Sequence, residues 1–190
     1  MRRVILALSI LLVFALSTSA QVLKPFNVYV GGGVSLPMSP EVFKDNWKIG
    51  FHGTVGVGYK AAPTVQIVGK AEYHSIPFDW GDISGVSGFS LNALMFGVDG
   101  RFVFGAPDAP AKPLLFAGLG VANVSFSDLE GPGVSVPITV EETKVYFNAG
   151  GGVEFKAGPT ITIFIQASYV SIATSGEATG FVPITAGIKF

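Results

Sequence analysis

Apolar and polar residues alternate with a period of two along nearly all of the chain after residue 24. That period belongs to an extended strand, whose successive side chains point to opposite faces. A helix repeats its apolar positions every three or four residues. Eight segments carry the alternation, at about 26–36, 49–60, 65–76, 90–104, 114–126, 143–155, 160–172 and 181–190. The sixth is the plainest. Val145, Phe147, Ala149, Val153 and Phe155 share one parity, and Lys144, Tyr146, Asn148, Gly150, Gly152 and Glu154 share the other. The fifth is apolar on both parities, Leu115 and Leu119 against Leu114 and Phe116, so its facing stays open. No segment has the pattern of an amphipathic helix.

The breaks between segments agree with this parse. Proline cannot donate to a strand ladder. Eleven of the 12 prolines (25, 37, 40, 63, 77, 107, 110, 113, 132, 137 and 159) fall at segment margins or in connections. Pro183 is the exception, and a position near the start of the last strand would accommodate it. Connections at 61–64, 105–113 and 156–159 are short, whereas those at 37–48, 77–88, 127–142 and 173–180 are longer on the whole. An even number of strands places both chain ends on the short-turn side.

Residues 1–20 read as a secretory leader. Arg2 and Arg3 precede the apolar run Val4–Leu16, and small residues ending at Ala20 close it. The run is too short for a membrane helix, which needs roughly 20 residues. The mature chain, 21–190, is expected to form one domain. It has no apolar stretch long enough to span as a helix. It has no cysteine, which excludes disulfides, thiolate metal sites and a cysteine nucleophile. Lys and Arg number 12 against 13 Asp and Glu, which is not the charge of a nucleic-acid binder.

Charged residues make up only 13 % of the chain and mean hydropathy is +0.54. Something must therefore absorb the apolar parity. The other parity carries Lys70, Glu72, His74, Asp99, Arg101, Lys144, Glu154 and Lys189, mixed with many glycines. Glycine has little use on a solvent face. It fits the inside of an eight-stranded barrel, whose interior is just wide enough for side chains to fill. Closure also removes the sheet edges that a bilayer does not tolerate. The expected fold is all-β, an eight-stranded antiparallel up-and-down transmembrane β-barrel with its apolar face toward lipid. Phe26, Tyr59, Phe102, Phe155 and Tyr169, with Phe78 and Trp80 just past a strand end, suggest an interfacial girdle.

The last segment, Phe181 to Phe190, ends in phenylalanine with apolar residues at every second position before it. It resembles the C-terminal signal of bacterial outer-membrane barrels. The runs Tyr146–Phe155 and Gly53–Lys60 are similar to strands of small eight-stranded barrels such as the OmpA transmembrane domain and OmpX, often grouped as porin-family proteins. The resemblance implies an outer-membrane location with periplasmic termini. It further implies lipid and lipopolysaccharide as surroundings, recognition of Phe190 by the barrel-assembly machinery, and a monomer.

No constellation reads as catalytic or cofactor-binding, and no metal site is expected. His74 and Ser75, with Glu72 nearby, suggest a hydrolase. However, adjacent strand residues point to opposite faces, and a nucleophile must lie within hydrogen-bond reach of its base. His52 and His74 lack a third certain metal ligand. The GxG repeats open no helix, so they are not phosphate cradles. Asp99 with Arg101, and Lys70 with Glu72, share a parity on neighbouring strands, joined by Lys144 and Glu154. They read as a paired polar interior, with Glu72, Asp99 and Glu154 all open as partners of Arg101. The long connections are acidic, with a net charge of −7 from Glu41 to Glu177. The expected role is structural or interactive, without catalysis. A narrow channel for small solutes and a soluble ligand-binding barrel of lipocalin shape are the alternatives.

Overall fold

The structure is a computed structural model that describes residues 25–81, 87–106, 109–131, 134–136, 140–174 and 177–190. Eight long strands form the wall: β1 (Phe26–Ser39), β2 (Gly50–Lys60), β3 (Val65–Pro77), β4 (Ser90–Val103), β5 (Ala111–Phe126), β6 (Glu141–Lys156), β7 (Thr162–Ile172) and β8 (Thr179–Lys189). Each pairs antiparallel with the next in the chain, and β8 returns to β1 to close the barrel. The leader lies outside the described residues, as do Pro107, Pro132 and Pro137.

Parity decides facing, as alternation requires. Phe51, Leu119 and Phe147 are 62 %, 60 % and 57 % exposed, whereas Tyr146 and Asp99 are fully buried inside. The fifth strand resolves in the same way. Leu115, Leu119 and Val121 face outward, and Leu114 and Phe116 are buried. An apolar wall facing out around a packed interior removes the lipocalin alternative, which needs the reverse.

Several expectations are corrected. The strands run past two prolines placed at margins: Pro37 pairs with Phe181 and Pro113 with Val153, whereas Pro77 does end β3. Their neighbours carry enough ladder bonds to tolerate one missing donor. Pro183 is not at a strand start, because β8 begins at Thr179. There the β7–β8 ladder breaks, with pairs recorded at Ala167–Ile184 and next at Val170–Phe181. The β1–β2 connection contains a short helix, α1 (Glu41–Asn46), which alternation could not reveal. Short strands Ser87–Gly88, Leu129–Gly131 and Val134–Val136 join two long connections in a small separate sheet.

The interior has tiers. Toward the long-loop end it is an apolar core of Ile76, Leu91, Met95, Val170, Ile172 and Phe181, all 5 % exposed or less. Phe43 of α1 inserts into this core from above, and Trp47 and Phe126 pack against it. Phe78 and Trp80 therefore do not join a lipid girdle. They pack into an aromatic cap with Trp47 and Phe89, the Trp47–Phe78 rings being 5.4 Å apart. Polar and charged residues occupy the middle of the barrel. Toward the short-turn end, Val103, Leu114 and Phe116 form a further apolar group.

Candidate functional site: the charged interior

β3 and β4 supply most of the charge. Lys70 and Glu72 rise along β3, Asp99 and Arg101 descend along β4, and the register sets Val68 opposite Asp99 and Gln66 opposite Arg101. Asp99 is the centre. Its Oδ1 accepts from Asn148 Nδ2 at 3.1 Å and lies 3.3 Å from Lys70 Nζ. Its Oδ2 is 3.5 Å from Arg101 Nη2. Lys70 also lies 2.8 Å from Glu72 Oε2, a close ion pair set off the hydrogen-bonding directions. Arg101 donates to Gln166 Oε1 at 3.2 Å, and its guanidinium carbon lies 4.9 Å and 5.2 Å from the ring centres of Tyr29 and Phe116. Tyr29 donates in turn to Gln66 Oε1 at 2.5 Å. Nearer the short-turn end, Lys189 donates to Glu154.

Three cations, Lys70, Arg101 and Lys189, thus face three carboxylates, Glu72, Asp99 and Glu154, and every one of them is buried. Charges removed from water are tolerated when paired and hydrogen-bonded. The structure answers what sequence left open: Arg101 pairs with Asp99 and Glu72 with Lys70, each on its own strand, and Glu154 takes Lys189 from another strand. Lys144 is a correction. It stands at the long-loop rim, 3.1 Å from exposed Glu142, and does not enter this network.

The histidines form a separate cluster closer to the apolar core. His52 and His74 sit directly opposite on β2 and β3, and their rings stack at 4.9 Å. Ser35 Oγ lies 3.2 Å from His52 Nδ1 and 2.9 Å from His74 Nδ1. Thr185 Oγ1 lies 2.9 Å from His52 Nε2. The serine beside His74 is therefore Ser35 and not Ser75. Both Ser35 and His74 are 0 % exposed, so no substrate reaches them in this conformation. Hydroxyls engage three of the four ring nitrogens, which leaves only His74 Nε2 without a protein partner. Sequence missed Ser35 because it sits on another strand, and the pairing of β1 with β2 and of β2 with β3 brings it there.

The interior glycines, those of the GxG repeats included, are packing devices. A Cβ on Gly97 would strike the Tyr146 hydroxyl, and one on Gly118 would strike Asp99 Oδ1. An apolar hollow of about 380 Å³, bordered by Val65, Gly100, Phe102, Leu115 and Ala117, opens on the outer wall. On the loops, the Gly81 amide and Lys48 hold the exposed Asp79 carboxyl below its usual range.

This geometry joins a closed eight-stranded wall, an apolar exterior and a charged filling. The sequence model of the outer membrane protein beta-barrel domain matches residues 6–190. The chain belongs to that family. No curated protein matches it. Among solved structures it is similar to Neisserial surface protein A, at 15 % identity over 87 % of this chain and 96 % of that one, with a TM-score of 0.63. A major outer membrane protein from Thermus thermophilus is similar at 9 % identity, 87 % and 98 % coverage and a TM-score of 0.58. Ail, the attachment invasion locus protein of Yersinia pestis, follows at 16 %, 87 % and 97 %, with 0.51. At such identities the shared property is the outer-membrane barrel fold.

Proposed function

We propose that this outer-membrane barrel is a structural or interaction protein with a sealed, non-catalytic interior. The observation that carries the reading is the apolar core of Ile76, Met95, Ile172 and Phe181, lying across the interior between the charges and the long loops. Ions crossing the barrel would have to pass it without water. Burial of Ser35, His52 and His74 argues against a hydrolase in the same way. In this reading residues 1–20 are cleaved and both ends of the mature chain lie in the periplasm. Phe190 is then read by the assembly machinery, and the long loops face outward among lipopolysaccharide. The test is conductance of the purified folded protein in planar bilayers. No steady current is expected at either polarity, and a stable unitary current would overturn the sealed interior in favour of the channel.

A further inference from the structure

Four lysines converge on the short-turn mouth from inside the wall. Lys60 ends β2, Lys156 ends β6, Lys189 ends β8, and Lys112 lies at the start of β5. Lys60 shares the parity of buried His52 and Thr54, Lys156 that of Asn148 and Glu154, and Lys112 that of Leu114 and Phe116. Lys189 is itself buried on the same face. Alternation therefore turns all four into the barrel opening, with the wall between them and lipid. β2 and β6 stand four strands apart in a ring of eight, so Lys60 and Lys156 face each other across the mouth. Lys60 is also near enough to Lys189 for the two charges to repel.

Negative charge does not balance them. Glu154 is the acidic side chain of the interior face at this end among the described residues. Lys189 holds it, and the register also sets Lys112 opposite it. Lys60 and Lys156 are exposed, and neither has a carboxylate within ion-pair distance among the described residues. Even with the α-carboxylate of Phe190 at the same end, cations stay in excess. Two uncharged donors face the same opening. Asn27 Nδ2, on β1 between the strands of Lys60 and Lys189, is buried without a hydrogen-bond partner. Thr162, on β7, is paired in register with Lys156 on one side and Lys189 on the other. We propose that this mouth binds a soluble phosphate-type oxyanion between Lys60 and Lys156, with Asn27 and Thr162 as further donors. Lysine meets phosphate as a point charge, and its long stem carries the ammonium from the rim toward the centre. The opening of an eight-stranded barrel is too narrow for a folded partner, which favours a small anion. Only the compartment that the mouth faces, the periplasm, rests on the orientation proposed above.

The test is calorimetric titration of the full-length mature protein with pyrophosphate, in maltoside micelles free of phospholipid and at low ionic strength. Saturable binding of one anion per barrel is expected, and added salt should weaken it. Lys60→Gln with Lys156→Gln should weaken it by about tenfold or more. Both lysines are exposed, so this variant keeps the fold. Lys60→Arg with Lys156→Arg should retain binding, and Asn27→Asp, which sets a negative charge in the same opening, should reduce it. Lys44→Gln, exposed at the opposite end, should leave it unchanged. Any of four results overturns the proposal: no saturable binding in the lipid-free micelle, binding that ignores salt, binding that survives the double glutamine variant, or equal loss with Lys44→Gln. None of these outcomes bears on conductance, so the sealed interior stands or falls separately.

Discussion

Replacing Asp99 by alanine removes the acceptor that Lys70, Arg101 and Asn148 share. Lys70 then falls back on Glu72 at 2.8 Å, but Arg101 keeps only Gln166 and the faces of Tyr29 and Phe116. One buried cation is effectively stranded, which costs about 3–5 kcal/mol. Arg101→Ala should cost somewhat less, about 2–4 kcal/mol. Asp99 retains Lys70 and Asn148, so most of that cost is the pair itself plus two ring contacts of about 0.5–1 kcal/mol each. The double variant should fall short of the sum by about 1–3 kcal/mol, the range for groups in contact. As a comparison, Arg101→Ala with Glu154→Ala should couple less than Arg101 with Asp99, since Glu154 is held by Lys189 and meets Arg101 only through the shared Tyr29 ring. Urea unfolding from lipid vesicles, followed by fluorescence of Trp47 and Trp80 at the long-loop end, reads all of these. The reasoning is refuted if Arg101 couples more strongly to Glu154 than to Asp99, or if Asp99→Ala costs under about 1 kcal/mol.

Facing is tested at four positions. Phe147→Arg and Ile163→Arg place charge in lipid and should cost about 2–4 kcal/mol in the same assay. Thr162→Arg, half-buried at the short-turn mouth, should be far milder. Asn148→Arg will not be mild, although the residue faces inward, because Asn148 is 4 % exposed and donates to Asp99. Interior glycines should resist filling. A Cβ on Gly118 would lie 2.5 Å from the Val98 carbonyl and 2.9 Å from Asn148 Oδ1, so Gly118→Ala should lose about 1–3 kcal/mol. Gly53→Ala, with open space around it, should match or exceed the parent stability. Deleting Phe190, whose backbone exchanges hydrogen bonds with Val28, should leave export intact and lower the yield of folded protein in outer-membrane fractions. Normal yield would remove its assembly role.

Parity carried the fold. Eight runs of alternation sufficed for strand number, closure and the facing of all but the fifth strand, because a pleated strand in lipid has no other way to dispose of its side chains. Positions that obey a different rule were hidden. Leu91, Ala93, Met95 and Phe181 are apolar yet face inward, so near strand ends they read as loss of pattern and not as a core. Helix α1 spans one and a half turns, too few for a helical period to show. The interior charges and the same-strand pairs Asp99–Arg101 and Lys70–Glu72 were legible, but the contacts between strands were not. That Lys70 also reaches Asp99 on the next strand, and Lys189 reaches Glu154, depends on register and tilt across the closed ring, and neither is written into any single strand. Ser35 escaped for the same reason, since it reaches the two histidines only across strand pairs.

The interruption at Pro183 has a mechanical meaning. The β7–β8 ladder skips Ser168 and Tyr169 opposite Pro183 and Val182, and on the other side of β8 the β1 register slips between Pro37 and Ser39. One strand thus has thinned bonding on both flanks at nearly the same height, where elsewhere the hoop is continuous. A hoop under lateral pressure yields where its rungs are fewest. The staves on either side of β8, near the long loops, are where this wall will breathe first, and amides there should exchange with solvent deuterium ahead of those in β3 to β6.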